Sequence, residues 1–530
     1  MELTNEQLLV LLVLLVAVAA MLIIAPTLRV PYPIVLVVGG VALGFMPGMP
    51  ELELPPDLVL VVVLPPLLYA ATFFTSLHEL KLHMRPIGLL SVGLVIVTTV
   101  VVAVVAHATI DGLSWSSAFV LGAVVSPTDP IAATAMARRF GVPRRLVAIV
   151  EGESLINDAT ALVALRFGVV AVLTGSFSIW EAGLEFAYSA AGGVAIGLGV
   201  GWLIRHLRRR LDNPPLEITI ALLSAYLAAI PAELAHASAV LAAVTVGIYM
   251  GAHTSELTTA RTRVQGDAVW EIVVFLLNAL LFVLIGLQLP VILDELSGEP
   301  AGTLLVYGVI VSGAVILVRI AGTYAATYLP RLVSRRVRRR DPVTPWQDPA
   351  FVSWAGMRGA VSLAAALSLP LTTDTGDPFP ARDLILFLVF CVIVATLVGQ
   401  GLTMPLVIRF LGLESRHHLE SEEARARVHA AEAALARLEE LIGEDWVPQE
   451  TAERLRGLYE FRHGRYTARH RGDEDSIHEE QQEAYQRLRR ELIDAEREVL
   501  HELRREGVIT EQVAKRVVYD IDLEDIRLDP

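Results

Sequence analysis

Val150-Glu151-Gly152-Glu153-Ser154-Leu155-Ile156-Asn157-Asp158-Ala159 sets three carboxylates and an asparagine inside a run that otherwise reads as membrane-embedded. Leu146 to Val150 precede the charges and Ala159 to Leu165 follow them, almost all apolar. An ionisable side chain at membrane depth costs roughly 2.5–3.5 kcal/mol on insertion scales and marks a functional site by default. On a helix of about 3.6 residues per turn, Ser154 and Asp158 share one face, a turn apart. Glu153 stands roughly 140° around the axis from Asp158. One carboxylate is therefore free to meet a pathway while the other meets a partner helix.

The rest of the chain supplies the membrane. Of its 530 residues 54% are hydrophobic, with a mean hydropathy of +0.56, and many runs come near the ~20 apolar residues that cross a bilayer. The expectation is an all-α, polytopic membrane protein. The net charge of −14 sits mostly at one end: Leu413 to Pro530 hold 30 acidic and 19 basic residues, whereas residues 1–412 hold 27 and 24. The acidic balance belongs to a soluble tail and says little about nucleic acid, and no nucleic-acid partner is expected. Cys391, the single cysteine, excludes an intramolecular disulfide. Leu8 to Ala25 has no basic stretch before it and reads as a first membrane helix rather than a cleaved signal.

Apolar runs set against turn signals place thirteen spans at about 7–25, 33–45, 55–75, 86–108, 114–137, 144–173, 182–206, 215–232, 236–252, 268–288, 302–329, 349–369 and 382–411. Loops after odd spans carry Arg29; Lys81 and Arg85; Arg138, Arg139, Arg144 and Arg145; Arg205, Arg208, Arg209 and Arg210; Arg261 and Arg263; and Arg331, Arg335, Arg336, Arg338, Arg339 and Arg340. Loops after even spans carry only Arg382. The positive-inside rule then makes the odd side cytoplasmic, with the N-terminus outside and the tail inside a plasma membrane. Thirteen spans divide into six, one linker and six, which inverts the second half relative to the first.

Transporters of that plan bind near the midplane, where interrupted helices meet. Span 5 contains Ser126-Pro127-Thr128-Asp129-Pro130, whose two prolines cannot both sit in an unbroken helix. Span 12 contains Trp354-Ala355-Gly356-Met357-Arg358-Gly359, two glycines around an arginine. The fifth element of each half is thus the broken one, and two crossing broken helices are expected. Each break exposes about half a charge per helix end. Asp129 would offset the positive N-termini and Arg358 the negative C-termini. Two readings stand for Asp129, a cap at a kink or an ion contact; for Arg358 the cap is favoured.

Arg319 lies among apolar residues in span 11, and a buried guanidinium requires a carboxylate. Glu153, turned away from the Asp158 face, is the candidate, as a structural pair between the halves. Arg166 reads as snorkelling to an interface. Glu151 either lines an access funnel or marks the helix entrance. In the tail, Ala430 to Ile442 and Tyr485 to Leu503 have helical apolar spacing, with a break at Gly472-Asp473-Glu474-Asp475. Its charges read as solvated faces, and His417-His418 as an exposed pair rather than a metal site. The chain offers no zinc spacing, nucleotide-binding glycine loop or nucleophilic triad. The expectation is neither an ATP-driven pump nor an enzyme, and no cofactor.

Five motifs together resemble one family, the sodium/proton exchangers of bacteria, archaea and animals, NhaP-like and NHE-like. They are Ser126-Pro127-Thr128-Asp129-Pro130, the Glu151–Asp158 run, Gly356-Met357-Arg358-Gly359-Ala360, Pro65-Pro66 and Gln400-Gly401-Leu402-Thr403. The resemblance spans about residues 5–412, giving a transmembrane antiporter domain at 1–412 and a cytoplasmic helical tail at 413–530, regulatory or for assembly. It implies that Asp158 holds either the cation or protons. Asn157 precedes it in the Asn-Asp form that the family associates with electroneutral exchange. Thr128, Asp129 and Ser154 lie at the ion site, with Asp158, Ser154 and Thr128 as Na+ ligands. Glu153 and Arg319 resemble the family's bridge and Arg358 its charge in the span 12 break. It also implies homodimers in membrane lipid and a role in pH homeostasis. One departure matters: many members place a glutamate where Ala70 stands, four residues after Pro66.

A carboxylate taken out of water holds its proton more tightly, from ~3.9 toward the physiological range for an aspartate. One such group with mutually exclusive occupants, Na+ or H+, suffices for antiport by alternating access. Exchange of K+ on the same scaffold, sodium-coupled transport of an organic anion, and a membrane sensor signalling through the tail are the alternatives.

Overall fold

The computed structural model describes residues 5–28, 30–46, 58–75, 77–174, 179–296, 298–333, 344–373, 376–413, 416–444, 446–471, 477–506 and 508–526. Arg29, Arg335, Arg336, Arg338, Arg339, Arg340 and Gly472-Asp473-Glu474-Asp475 lie outside the described residues, as do the side chains of His417 and His418. Among the described residues the chain is nearly all helical, with an isolated bridge between Thr372 and Pro378 in place of any sheet. It divides into two compact units, Met1–Glu414 and Ser415–Pro530.

The first unit runs through α1 (Asn5–Leu28), α2 (Tyr32–Gly44), α3 (58–73), the short α4 (Leu77–Leu82), α5 (Met84–Thr109), α6 (Trp115–Val125), α7 (Ile131–Arg139), α8 (Arg144–Thr174), α9 (Ile179–Arg208), α10 (Pro214–Leu234), α11 (Ala239–Leu257), α12 (Ala260–Glu295), α13 (Ala301–Val333), α14 (Gln347–Trp354), α15 (Ala360–Leu367) and α16 (Arg382–Leu411). Among the described residues, seven of these helices are long and apolar enough to cross a membrane, by length and composition: those at Met84–Thr109, Arg144–Thr174, Gly183–Arg208, Pro214–Leu234, Ala260–Glu295, Ala301–Val333 and Arg382–Leu411.

Helix ends follow their caps rather than the hydropathy edges. The expected span at 268–288 is a longer helix, Ala260–Glu295. Thr259 caps it by accepting from the Thr262 amide, and the helix continues through Pro290. The expected gap between the spans at 215–232 and 236–252 falls slightly later: α10 runs through Pro231 to Leu234, His236 turns with a φ of 54°, and Ser238 caps α11.

Two apolar clusters divide this unit. The larger joins α2, the start of α3, α5 to α8 and α12 to α16; the smaller, around Tyr69, Ala225, Met250 and Trp270, joins the rest of α3 with α9 to α12. A seam of Leu64, Leu68, Ala243 and Val244, with Val361 packed on it, lies at α3, α11 and α15. Helices α2 and α12 pack along each other so closely that a Cβ on Gly286 would stand 2.3 Å from the Val37 carbonyl oxygen.

The second unit contains α17 (Arg416–Leu441), α18 (Gln449–Arg471), α19 (Ile477–Arg505) and α20 (Glu511–Ile526). Helix α17 packs on α18, and α19 on α20. Its ion pairs are exposed or half-exposed, such as Arg497 with Asp522 at 2.7 Å and Asp525 at 2.8 Å.

Candidate functional site: a charged crossing beside a cavity

Two helices are interrupted where prolines and glycines remove their backbone continuity. Helix α6 ends at Val125, residues Ser126 to Pro130 run without helix, and α7 starts at Ile131. Helix α14 ends at Trp354, Ala355 to Gly359 form the second gap, and α15 starts at Ala360. The gaps cross: the Asp129 amide donates to the Met357 carbonyl at 2.7 Å.

Each charged residue serves ends of both helices. The Asp129 carboxylate accepts from the Ile131 amide at 2.9 Å and from the Ala360 amide, the starts of α7 and α15. Arg358, 1% exposed, donates through Nε to the Val125 carbonyl at 3.1 Å, the end of α6, and through Nη1 to the Gly356 carbonyl just past α14. Its own amide donates to Thr396 Oγ1 at 3.0 Å. Negative charge therefore meets two positive helix ends and positive charge two negative ones, the favourable sense for both dipoles. Gly359 makes the crossing possible, because a Cβ there would lie 2.0 Å from Asp129 Oδ2.

Helix α8 brings the quoted stretch to this crossing. Asp158 and Ser154, 5% and 6% exposed, line a cavity of about 430 Å³ together with Thr128 and Asp129. The same cavity reaches Arg138 and Glu151, an ion pair at 2.8 Å whose arginine is largely exposed. Glu151 thus lies on the lining of the cavity. Asn157 is placed differently. It is fully buried and off the cavity lining, and its Nδ2 donates to Thr128 Oγ1 at 2.8 Å. It braces the gap residue rather than facing the cavity.

Glu153 points elsewhere. Arg319 donates through Nη1 and Nη2 to both carboxylate oxygens, the Nη2 to Oε2 contact at 2.8 Å, and Nη2 also reaches the Val352 carbonyl at 3.1 Å. This ties α8 to α13 and α14. Arg166 pairs with Glu233 of α10 at 3.5 Å, both about half-exposed.

The cavity has a further lining from α2, α3 and α12: Tyr32, Ala70 and Asn278. Reading the sequence missed Tyr32 and Asn278, although a lone amide between Leu277 and Ala279 carries the same signal as a lone charge at membrane depth. It also missed a second buried pair, Arg208 with Glu217 at 3.4 Å, at 3% and 1% side-chain exposure. Among the described residues no group of three or more His, Cys, Asp or Glu is placed to hold a metal ion.

The model of the transmembrane sodium/hydrogen exchanger family matches residues 11–409. An uncharacterized Na+/H+ exchanger of Mycobacterium tuberculosis strain H37Rv is 36% identical over 525 residues, 98% of this chain and 96% of that protein. The sodium, potassium, lithium and rubidium/H+ antiporter of Bacillus pumilus is 30% identical across 78% of this chain and 63% of its own length. The solved sodium proton antiporter MjNhaP1 of Methanocaldococcus jannaschii shares the fold, with a TM-score of 0.61 at 17% identity, over 77% of this chain and 100% of that one.

Proposed function

Since the chain belongs to the sodium/hydrogen exchanger family, we propose that it exchanges Na+ for H+ by alternating access, with Asp158 as the carboxylate that both occupants share. The observation that carries this is a buried acid on a cavity wall beside two crossed helix gaps. Sodium is a hard cation and takes oxygen ligands. Asp158, Ser154 and Thr128 supply a carboxylate and two hydroxyls, and Asn157 holds Thr128 in place. Asp129 already accepts two amides, so its part at the site is to hold the gap and lend negative charge.

One carboxylate filled by Na+ or by H+ has the same net charge in either state. Exchange is then electroneutral, and the bare anion is the form that crosses poorly. The cavity leads from Asp158 to Arg138 and Glu151, on the side that the arginine census makes cytoplasmic. That census supports thirteen spans in two inverted six-helix repeats, an outer N-terminus and a cytoplasmic tail in a plasma membrane. A homodimer is the assembly we infer for the family member.

The test is cation-driven proton movement in everted vesicles or proteoliposomes. Asp158→Asn abolishes it; undiminished exchange by that variant sinks the assignment. In the wild type the apparent KM for Na+ rises about tenfold per pH unit on the acid side, because protons compete by mass action for the same group.

A second reading has its own support. The Bacillus pumilus relative is named for sodium, potassium, lithium and rubidium, and Ala70, which lines the cavity, brings no carboxylate at the position where the family resemblance implies a glutamate in many members. A cation series of Na+, Li+ and K+ in the same assay separates K+/H+ exchange from Na+/H+ exchange. Sodium-coupled organic-anion transport would require solute uptake that proton movement does not accompany.

A further inference from the structure

Helix α8 runs unbroken from Arg144 to Thr174, past one cavity and on to another. Glu151, on the first cavity, precedes Asp158 by seven residues, and Arg166 follows it by eight. At about 1.5 Å of rise per residue they lie roughly 10 Å and 12 Å from Asp158, in opposite directions along the axis. Arg166 lines a separate cavity of about 300 Å³ between α3, α8, α10 and α11, together with Pro65, Leu162, Glu233 and Ala239. Leu162 is one helical turn past Asp158. The Arg166–Glu233 pair, with side chains 49% and 56% exposed, marks the open end of this second cavity.

The wall between the two cavities is apolar. Leu64, 3% exposed, lines both. It belongs to the buried seam with Leu68, Ala243 and Val244. Val361 packs on that seam from the first cavity and Val240 from the second. None of these side chains can hold a hydrated ion, and a hydrophobic constriction closes by excluding water. The backbone at the wall is irregular as well. Helix α3 enters it through a π-helical turn, Leu58–Val63, and Pro65 and Pro66 follow Leu64 without amide donors. The chain is thus loosely tied by its own hydrogen bonds where Leu64 sits.

We propose that the second cavity is the passage by which the ion reaches the opposite face of the membrane, and that Leu64 is the barrier residue that keeps the two passages from joining at Asp158. The proposal rests on Asp158 as the shared carboxylate. In this structure the first cavity reaches Asp158, while the second ends at Leu64 and Leu162. Transfer therefore requires α8 to move past Leu64 by the four residues from Asp158 to Leu162, about 6 Å. That movement parts Arg166 from Glu233, which costs little for so exposed a pair.

Thiol labelling of the full chain in vesicles of both orientations tests this. Cys391 is the single cysteine, so Cys391→Ser supplies the background. Ala135→Cys on the first cavity and Ala239→Cys on the second meet a membrane-impermeant methanethiosulfonate. The two label from opposite faces, and labelling of Ala239→Cys slows its exchange about tenfold or more. Labelling of both from the same face, no labelling of Ala239→Cys from either, or full labelling with undiminished exchange overturns the proposal. Leu64→Ala thins the barrier and raises cation leak without proton counterflow about tenfold, whereas Leu64→Met, of similar volume, stays coupled. Leak in Leu64→Ala no greater than in the wild type overturns the role of Leu64. If Leu64→Ala does not assemble, the labelling pair decides alone. Asp158→Asn run alongside separates the two readings: undiminished exchange there sinks the shared carboxylate, whereas an inactive Asp158→Asn with same-face labelling removes only the second passage.

Discussion

Glu153 and Arg319, at 1% and 2% side-chain exposure, form a two-pronged pair whose charges have left water together. Removing one partner strands the other charge, which costs about 3–5 kcal/mol in buried pairs. Glu153→Gln or Arg319→Ala should therefore lower the thermal midpoint of the purified protein steeply. An apolar replacement of both residues should lower it less. Equal losses in the single and double variants would show that packing, not charge, is at stake. Arg166 with Glu233 makes the contrast. That pair is half-exposed at 3.5 Å, and such pairs contribute about 0–1 kcal/mol. The sequence showed that Arg319 needs an acid, since a lone guanidinium in an apolar run has few alternatives. It did not show Asn278 as a cavity residue, because an amide in a helix serves equally well as packing.

Among elements, the two gaps carry the site. Pro127 and Pro130 stand two within four residues and each lacks an amide donor, so the helix stops there, whereas the single prolines Pro231 and Pro290 are carried inside α10 and α12. Gly359 acts through space instead, by letting Asp129 approach within the radius of a side-chain carbon. Gly359→Ala should separate the gaps and abolish exchange in vesicles while the protein still inserts and purifies. Full exchange by that variant would mean that the crossing tolerates a shift of an ångström or more. The charge logic of Asp129 and Arg358 was legible, because a broken helix leaves predictable partial charges. The particular ends were not. That Arg358 reaches Val125 and Gly356 follows from the crossing geometry, which no local pattern encodes. Helix lengths were the least legible feature. Hydropathy ends α12 near 288, yet its capped polar turns carry the helix from Ala260 to Glu295.

For the whole molecule, the described site residues and the matched family region, 11–409, all fall within the first compact unit, Met1–Glu414. The second unit, Ser415–Pro530, holds none of them. A chain ending after Leu413 should retain cation-driven proton movement, with any change appearing in its pH dependence or oligomeric state. Complete loss of exchange by a correctly inserted truncation would make the tail part of the transport machinery. The tail's ion pairs are exposed or half-exposed contacts such as Arg437 with Glu440. Such exposed pairs contribute little to stability.

The sequence by itself determined the class of molecule, the two broken helices and the acidic stretch on α8. Apolar length, proline chemistry and the cost of a charge away from water are local properties, written residue by residue. Only the tertiary structure decided which side chains share the cavity. It placed Asn157 behind Thr128, set Asn278 and Tyr32 on the lining and gave Glu153 to Arg319. Those outcomes depend on how helices distant in the chain rotate and cross, and a one-dimensional pattern carries no record of rotation between helices.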